Sequence, residues 1–194
     1  MNAMPRYAEE FVQQAEPIVG QEMTDDEFAR LPKFTRKYEL IHGVIKMSPA
    51  GLRHDNVAAK LIMRLGMYLI EHPIGEFYAT SAGFQVSPNV VLSSDGAFVS
   101  HERLQGKVSP DAFGAFAPDL AVEIVSPGDS ATEVDEKVQL YLSNGTQLLW
   151  VINPRLRFAM VYRANGSVQR LQASDALDGE NVLPDFVCNL SDIL

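Results

Sequence analysis

Residues 118–127 read PDLAVEIVSP, and this stretch decides the fold. Leu120, Ala121, Val122, Ile124 and Val125 form a short apolar run between two prolines, the pattern of a buried strand. Two carboxylates interrupt it, Asp119 and Glu123. Strand side chains alternate between faces, so Asp119, Ala121, Glu123 and Val125 share one face. Burying an unpaired carboxylate costs on the order of several kcal/mol. Acids in a core strand therefore need a partner or a chemical purpose. The two lie roughly 13 Å apart along an extended strand, too far to share one metal ion.

The elements on either side follow from periodicity. Downstream, a helix is expected over about 130 to 143, with Val134, Val138 and Tyr141 or Leu142 inward and Gly145 at a left-handed end. QLLWVINP is a second buried strand. FAMVYR and SVQRLQ make a hairpin across Ala164, Asn165 and Gly166, and LPDFVCNLSDIL closes the chain. Upstream, Thr24 and Glu27 have the spacing of a capping box. Phe28 and Leu31 give that short helix an apolar side, and Pro32 ends it. KYELIHGVIKM, residues 37–47, reads as a hairpin turning at His42-Gly43. After the loop SPAGLRHD, Val57, Leu61, Leu65 and Leu69 recur every four residues, widened by Ile62 and Tyr68. That is an amphipathic helix ending before Pro73. EFYAT, GFQVS and VVLSSDGAFVS follow as strands. The class is α/β: a mixed sheet with one helix before its central strands and one after. Residues 1–20 are expected to be a loosely attached arm, and 21–194 a single domain.

Composition narrows the function. The chain has 194 residues, 46% hydrophobic, without an apolar run of membrane-spanning length. MNAMPRYAEE lacks a signal-peptide core, so the expectation is a cytoplasmic protein with no membrane role. A lone Cys188 forms no internal disulfide and reads as apolar filler. The formal net charge of -9 excludes a protein that coats nucleic acid through a broad basic surface. It leaves room for an acidic enzyme that attracts phosphate through a bound cation.

Three acids stand in β-rich, apolar contexts: Glu39 in YELI, Asp95 in SSDGAFVS, and Glu123 in VEIVS. Singly, each also reads as a strand-end carboxylate facing water. Together they are the set a sheet could gather at one edge, where Mg²⁺ and similar hard cations find oxygen ligands. Lys137 follows Glu133, Asp135 and Glu136 on the expected helix. Alone, it reads first as a solvated lysine paired with Glu133 four residues earlier. Its other reading leans over the strand end, where an ammonium stabilises charge developing on a phosphorane-like transition state. His54 reads first as an exposed first-turn residue, and otherwise as a phosphate contact at a helix N-terminus. His72 and His101 have no ligand-like spacing, Trp150 is core, and Ser126 lacks the partners of a hydrolase nucleophile.

YELIHGVIKMSP, His54 at the head of a helix, SSDGAFVSHERL and PDLAVEIVSPGDSATEVDEKVQLYLSNGTQLLWVINP together resemble the Uma2 family of endonucleases, over roughly residues 24 to 192. The resemblance implies a place in the PD-(D/E)xK nuclease superfamily and a restriction-endonuclease-like fold, a central mixed β-sheet flanked by helices. It also implies a site of acids and a metal ion. Glu39 matches the family's Glu of the first hairpin, Asp95 its Asp in a segment often written PDVAFVS, and Glu123 the Glu of VEVLSP. Here Ser94 replaces the proline before Asp95, and Val125 occupies the superfamily's usual lysine position. Lys137 matches a family lysine on the following helix and stands as its migrated replacement. His42 takes the place of the Asp in a family D-G turn.

The implied chemistry is metal-assisted hydrolysis of DNA phosphodiesters. Asp95 and Glu123 would bind Mg²⁺ or Mn²⁺, with the Ile124 carbonyl as a further ligand. Lys137 would orient water or neutralise the oxyanion, and Glu39 would complete the shell or support it. A symmetric homodimer is the expectation for an enzyme cutting both strands. The alternative is a nuclease-fold binding or assembly module without turnover. Asp119 stays outside the site, holding the preceding loop through backbone donors.

Overall fold

The computed structural model describes residues 18–31, 37–47, 51–106 and 112–194. The expected N-terminal arm lies almost wholly outside the described residues, as does Pro32. At the described start, the Thr24 hydroxyl accepts from Glu27 N, and the Glu27 carboxylate accepts from Thr24 N. This reciprocal cap opens the short helix α1 (Asp25–Ala29). The hairpin follows as β1 (Tyr38–Ile41) and β2 (Val44–Met47), with Leu40 opposite Ile45. His42 and Gly43 both have positive φ, 51° and 79°. Such a two-residue turn matches the right-handed twist of its strands.

Helix α2 (Leu52–Glu71) begins earlier than its apolar periodicity suggested, because Leu52, Arg53, His54 and Asp55 form its first turn rather than a loop. Strands β3 (Gly75–Ala79), β4 (Phe84–Ser87), β5 (Val90–Leu92) and β6 (Gly96–Ser100) come next, then the single turn α3 (His101–Leu104). The quoted stretch supplies β7 (Leu120–Ile124). It leads through α4 (Ala131–Ser143) to β8 (Leu148–Asn153), then β9 (Phe158–Arg163) and β10 (Val168–Gln172). Strands β11 (Ala176–Asp178) and β12 (Val187–Asn189) and helix α5 (Leu190–Ile193) complete the chain.

The central sheet runs β10-β9-β8-β7-β6-β3. It is mixed: β7 and β8 are parallel, joined through α4, and its other pairs are antiparallel. Period-two alternation decides what each face buries. Leu120, Val122 and Ile124 of β7, with Leu148, Trp150 and Ile152 of β8, pack in the cluster that holds Val57, Leu61 and Leu65 of α2. Ala121 of β7, with Leu149 and Val151 of β8, packs against Val138 and Tyr141 of α4. Glu123 shares the face of Ala121, so the sequence pattern aims it at the α4 side.

The hairpin does not join this sheet. It belongs to a second, antiparallel sheet of order β2-β1-β5-β4. VVLSSDGAFVS, read as one strand segment, splits at Ser93–Asp95 between the two sheets: β5 pairs in the second and β6 in the first. The cause is a contact from far along the chain. Ser93 gives its N–H to the Glu39 carboxylate at 2.8 Å, and its hydroxyl to the Thr80 and Ala82 carbonyls. Among the described residues, no helix is long and apolar enough to cross a membrane.

Candidate active site

Where the two sheets meet α4 and the start of α2, a cleft of about 730 Å³ opens. Residues 37, 39 and 41 line it on alternate positions of the hairpin, while Leu40 points away into a cluster with Phe28 and Ile45. Asp95 reaches the cleft from the break between β5 and β6, Glu123 and Ile124 from the end of β7, and Lys137 from α4. The four expected site residues therefore share one cavity, with Ile124 beside them.

The side chains form a charge-compensated array. Lys137 Nζ donates to Glu123 Oε2 at 2.7 Å and stands 3.1 Å from Glu39 Oε1. Glu39 Oε1 also accepts from Ser93 N. Asp95 Oδ2 accepts from Ile124 N at 2.7 Å and lies 3.0 Å from His54 Nε2. Asp95 Oδ1 accepts from Lys37 Nζ at 2.9 Å. Among the described residues, Glu123 Oε1 is buried without a hydrogen-bond partner. The expected i,i+4 pairing of Lys137 with Glu133 is not how the helix is used: the Glu133 carboxylate caps α4 through Ser130, and Lys137 turns to the sheet.

These contacts set the proton affinities. Burial pushes the Glu123 carboxyl up, to about 7, against the opposing pull of the Lys137 and Lys37 charges. Burial also acts on Asp95, but the His54 hydrogen bond and the Lys37 charge outweigh it and hold the carboxyl well below the usual range. Burial alone would lower Lys137, yet the charges of Glu123 and Glu39 keep its ammonium well above the ordinary lysine value. For His54, burial pulls down and the Asp95 hydrogen bond and charge pull up, with a net rise. Tyr141, buried beside Glu123 and Glu39, is raised well above its ordinary value by burial and those charges.

Two residues of this array were not assigned from sequence. His54 is corrected from an exposed first-turn residue to a buried one, 8% exposed and bonded to Asp95. Its spacing carried the signal, since His54, Val57, Leu61 and Leu65 fall on one helical stripe. Lys37 stands two residues before Glu39, so strand alternation puts both on the cleft face. His42 remains at the turn, exposed, with Nε2 3.3 Å from Glu136 Oε1. Asp119 is buried at the far end of β7. Its Oδ2 accepts from Ser100 N, and its Oδ1 accepts from Arg103 Nε at 2.7 Å and from Gln147 Nε2. It ties β6, α3 and β8 together and takes no part in the cleft.

Among the described residues, no group of three or more His, Cys, Asp or Glu side chains is spaced to hold a metal ion as it stands. The donors still suit a hard cation: two carboxylates, Asp95 and Glu123, one with an unpartnered buried oxygen. Mg²⁺ is commonly held by one or two carboxylates, with waters and substrate phosphate completing its shell.

Comparison with known proteins bears on the fold and then on the family. A crystal structure of "a putative nuclease belonging to DUF820" from Anabaena variabilis superposes with a TM-score of 0.76 at 21% identity, covering 88% of this chain and 97% of that one. At that identity the likeness establishes the nuclease-like fold. No curated protein matches. The family model of Uma2, described as "Putative restriction endonuclease", matches residues 25–191, which include every residue of the cleft array, and the chain belongs to that family.

Proposed function

We propose that the cleft hydrolyses phosphodiester bonds of DNA as a metal-dependent endonuclease. The observation that carries this reading is the convergence of Asp95, Glu123 and Lys137 from three separate elements in one cavity. Asp95 and Glu123 would hold Mg²⁺ or Mn²⁺, with the Ile124 carbonyl as a further oxygen donor. The bound cation supplies an acidified water and positive charge on the phosphate. The chain's own residues prepare the site. His54 and Ile124 N fix the Asp95 carboxylate, as a second shell orients a ligand. Glu39, itself held by Ser93 N, keeps the Lys137 ammonium charged and placed at Glu123. That ammonium offsets charge building on the phosphoryl oxygens, in a low-dielectric pocket where such compensation is strongest. Lys37, at 19% side-chain exposure, gives the cleft a second cation that draws phosphate to an acidic protein.

The test is nicking of supercoiled and linear DNA by the purified chain, with Mg²⁺ or Mn²⁺ and with EDTA. Cation-dependent cleavage is expected, with a loss of at least about 100-fold in Glu123→Ala or Asp95→Ala. The site assignment fails if Glu123→Ala loses no more than Gln172→Ala, an exposed change on an outer strand.

Two observations favour the second reading, a nuclease-fold module that binds without turnover. Both proposed metal-binding acids already carry lysine partners, and Val125 occupies the superfamily's usual lysine position. Cation binding by calorimetry without cleavage of any DNA form would establish it.

A further inference from the structure

Lys37 and Lys137 both pair with carboxylates of the cleft, but they are held differently. Lys137 Nζ sits between two acids, 2.7 Å from Glu123 Oε2 and 3.1 Å from Glu39 Oε1. Among the described residues, Lys37 Nζ meets one, Asp95 Oδ1 at 2.9 Å, and its side chain is the more exposed of the two. The acids differ as well. Asp95 Oδ2 accepts from Ile124 N at 2.7 Å and lies 3.0 Å from His54 Nε2. A backbone N–H in place on a strand cannot turn away, whereas a lysine on its flexible stem can. Among the described residues, Asp95 Oδ1 has Lys37 alone, and Glu123 keeps Oε1 unpartnered while Oε2 holds Lys137. A cation joining these two carboxylates therefore competes with Lys37 and leaves Lys137 in place. We propose that Lys37 is an exchangeable ammonium: a divalent cation bound at Asp95 displaces it, and the freed ammonium binds the phosphate of an incoming phosphodiester.

The inference rests on the reading of the cleft as a site for a cation and a phosphodiester, and it adds that the two ligands are coupled through one side chain. Charge supplies the driving force. Glu39, Asp95 and Glu123 face Lys37 and Lys137, and a divalent cation adds two positive charges to that balance. The Lys37 charge acts on Glu123 as well as on Asp95, so a cation between the two acids repels it directly. An ammonium in a half-closed cleft needs an anion or water, and the phosphate arrives as that anion. Coupling of this kind is reciprocal: a phosphate that draws Lys37 away opens Asp95 Oδ1 to the cation, just as the cation frees Lys37 for the phosphate.

The test needs no turnover. Wild-type chain is labelled with formaldehyde and a borane reductant, and the modification of each lysine is read by peptide mass spectrometry. Mg²⁺ alone is expected to raise the labelling of Lys37, and Mg²⁺ with a phosphorothioate oligonucleotide to lower it again. Lys137 and Lys60, the latter bonded to the Ile193 carbonyl, should not respond. Calorimetry gives the second readout. Lys37→Met is expected to bind Mn²⁺ at least about 5-fold more tightly than wild type, because no ammonium competes for Asp95. The oligonucleotide should tighten Mn²⁺ at least about 5-fold less in that variant than in wild type. Lys37 labelling indifferent to Mg²⁺ overturns the proposal, even with tighter Mn²⁺ in Lys37→Met, since a fixed neighbouring charge would also give that. Weaker Mn²⁺ binding in Lys37→Met overturns it too, and marks Lys37 as a structural support of Asp95. The two readings fail separately. Cleavage with unresponsive Lys37 removes the exchange and keeps the nuclease, exchange without cleavage does the reverse, and absence of cation binding removes both.

Discussion

At the scale of single residues, the two acids of PDLAVEIVSP have different partners and different purposes. Asp119 answers to Arg103, Gln147 and Ser100 N, and Glu123 answers to Lys137. Asp119→Ala is expected to destabilise the fold by about 3 kcal/mol, because it leaves a guanidinium and a buried N–H without their acceptor. Urea unfolding measures that loss, while cleavage per folded molecule should stay near wild type. Lys137→Met should cost about 3–5 kcal/mol, since Glu39 and Glu123 then share a buried space with no ammonium between them. A larger gain in stability on acidification in that variant than in the wild type, whose Glu123 carboxyl is already raised, would identify the uncompensated carboxylates as the cause. The acids were legible one at a time from their strand context, because a carboxylate in an apolar run is anomalous. Lys37 was not, since a lysine before a strand is ordinary until its neighbour across the cleft is known.

At the scale of elements, local rules governed well where the hydrogen bonds are local. The Thr24–Glu27 cap of α1 is such a case. The α4 cap obeys the same rule, although the spacing in the sequence gives Glu133 to Lys137: Ser130 Oγ accepts from Glu133 N, and the Glu133 carboxylate accepts from Ser130 N and its hydroxyl. Those bonds lower the Glu133 carboxyl below its usual 4.5. A carboxyl lowered in the folded state stabilises it above the unfolded value and loses that effect as pH falls through the folded one. The stability gap between wild type and Glu133→Gln should therefore be constant above about pH 4.5 and close in more acid solution. Thermal unfolding across that range checks it. The hairpin turn gives a second case. At Gly43, with φ 79°, an added Cβ would meet nothing nearer than 3.6 Å. Gly43→Ala should cost about 1 kcal/mol, all of it from the left-handed backbone and none from collision. Local rules failed at VVLSSDGAFVS, because β-propensity sees an unbroken run and cannot see that Glu39 takes the Ser93 N–H out of the ladder.

At the scale of the whole molecule, charge and topology act together. On the proposed function, a net charge of -9 leaves DNA few phosphate contacts beyond the cleft lysines. Binding should therefore depend on the divalent cation and show a shallow salt slope, set by the few phosphates contacted. Anisotropy titration of a labelled phosphorothioate duplex, with Mg²⁺ and with EDTA at several salt concentrations, measures both. A steep slope without a cation would point to a basic surface that the charge count argues against. By itself the sequence determined the α/β class, the paired buried strands around α4, the cap of α1, the hairpin turn and the candidate acids. Each of these is written in periodicity or in side-chain chemistry over a few residues. Only the tertiary structure decided that the hairpin belongs to a second sheet, that His54 and Lys37 hold Asp95, and that Lys137 serves Glu39 and Glu123 rather than Glu133. Those outcomes depend on buried charges finding partners far away in sequence, and the cost of leaving a charge unpaired is settled only when the sheets come together.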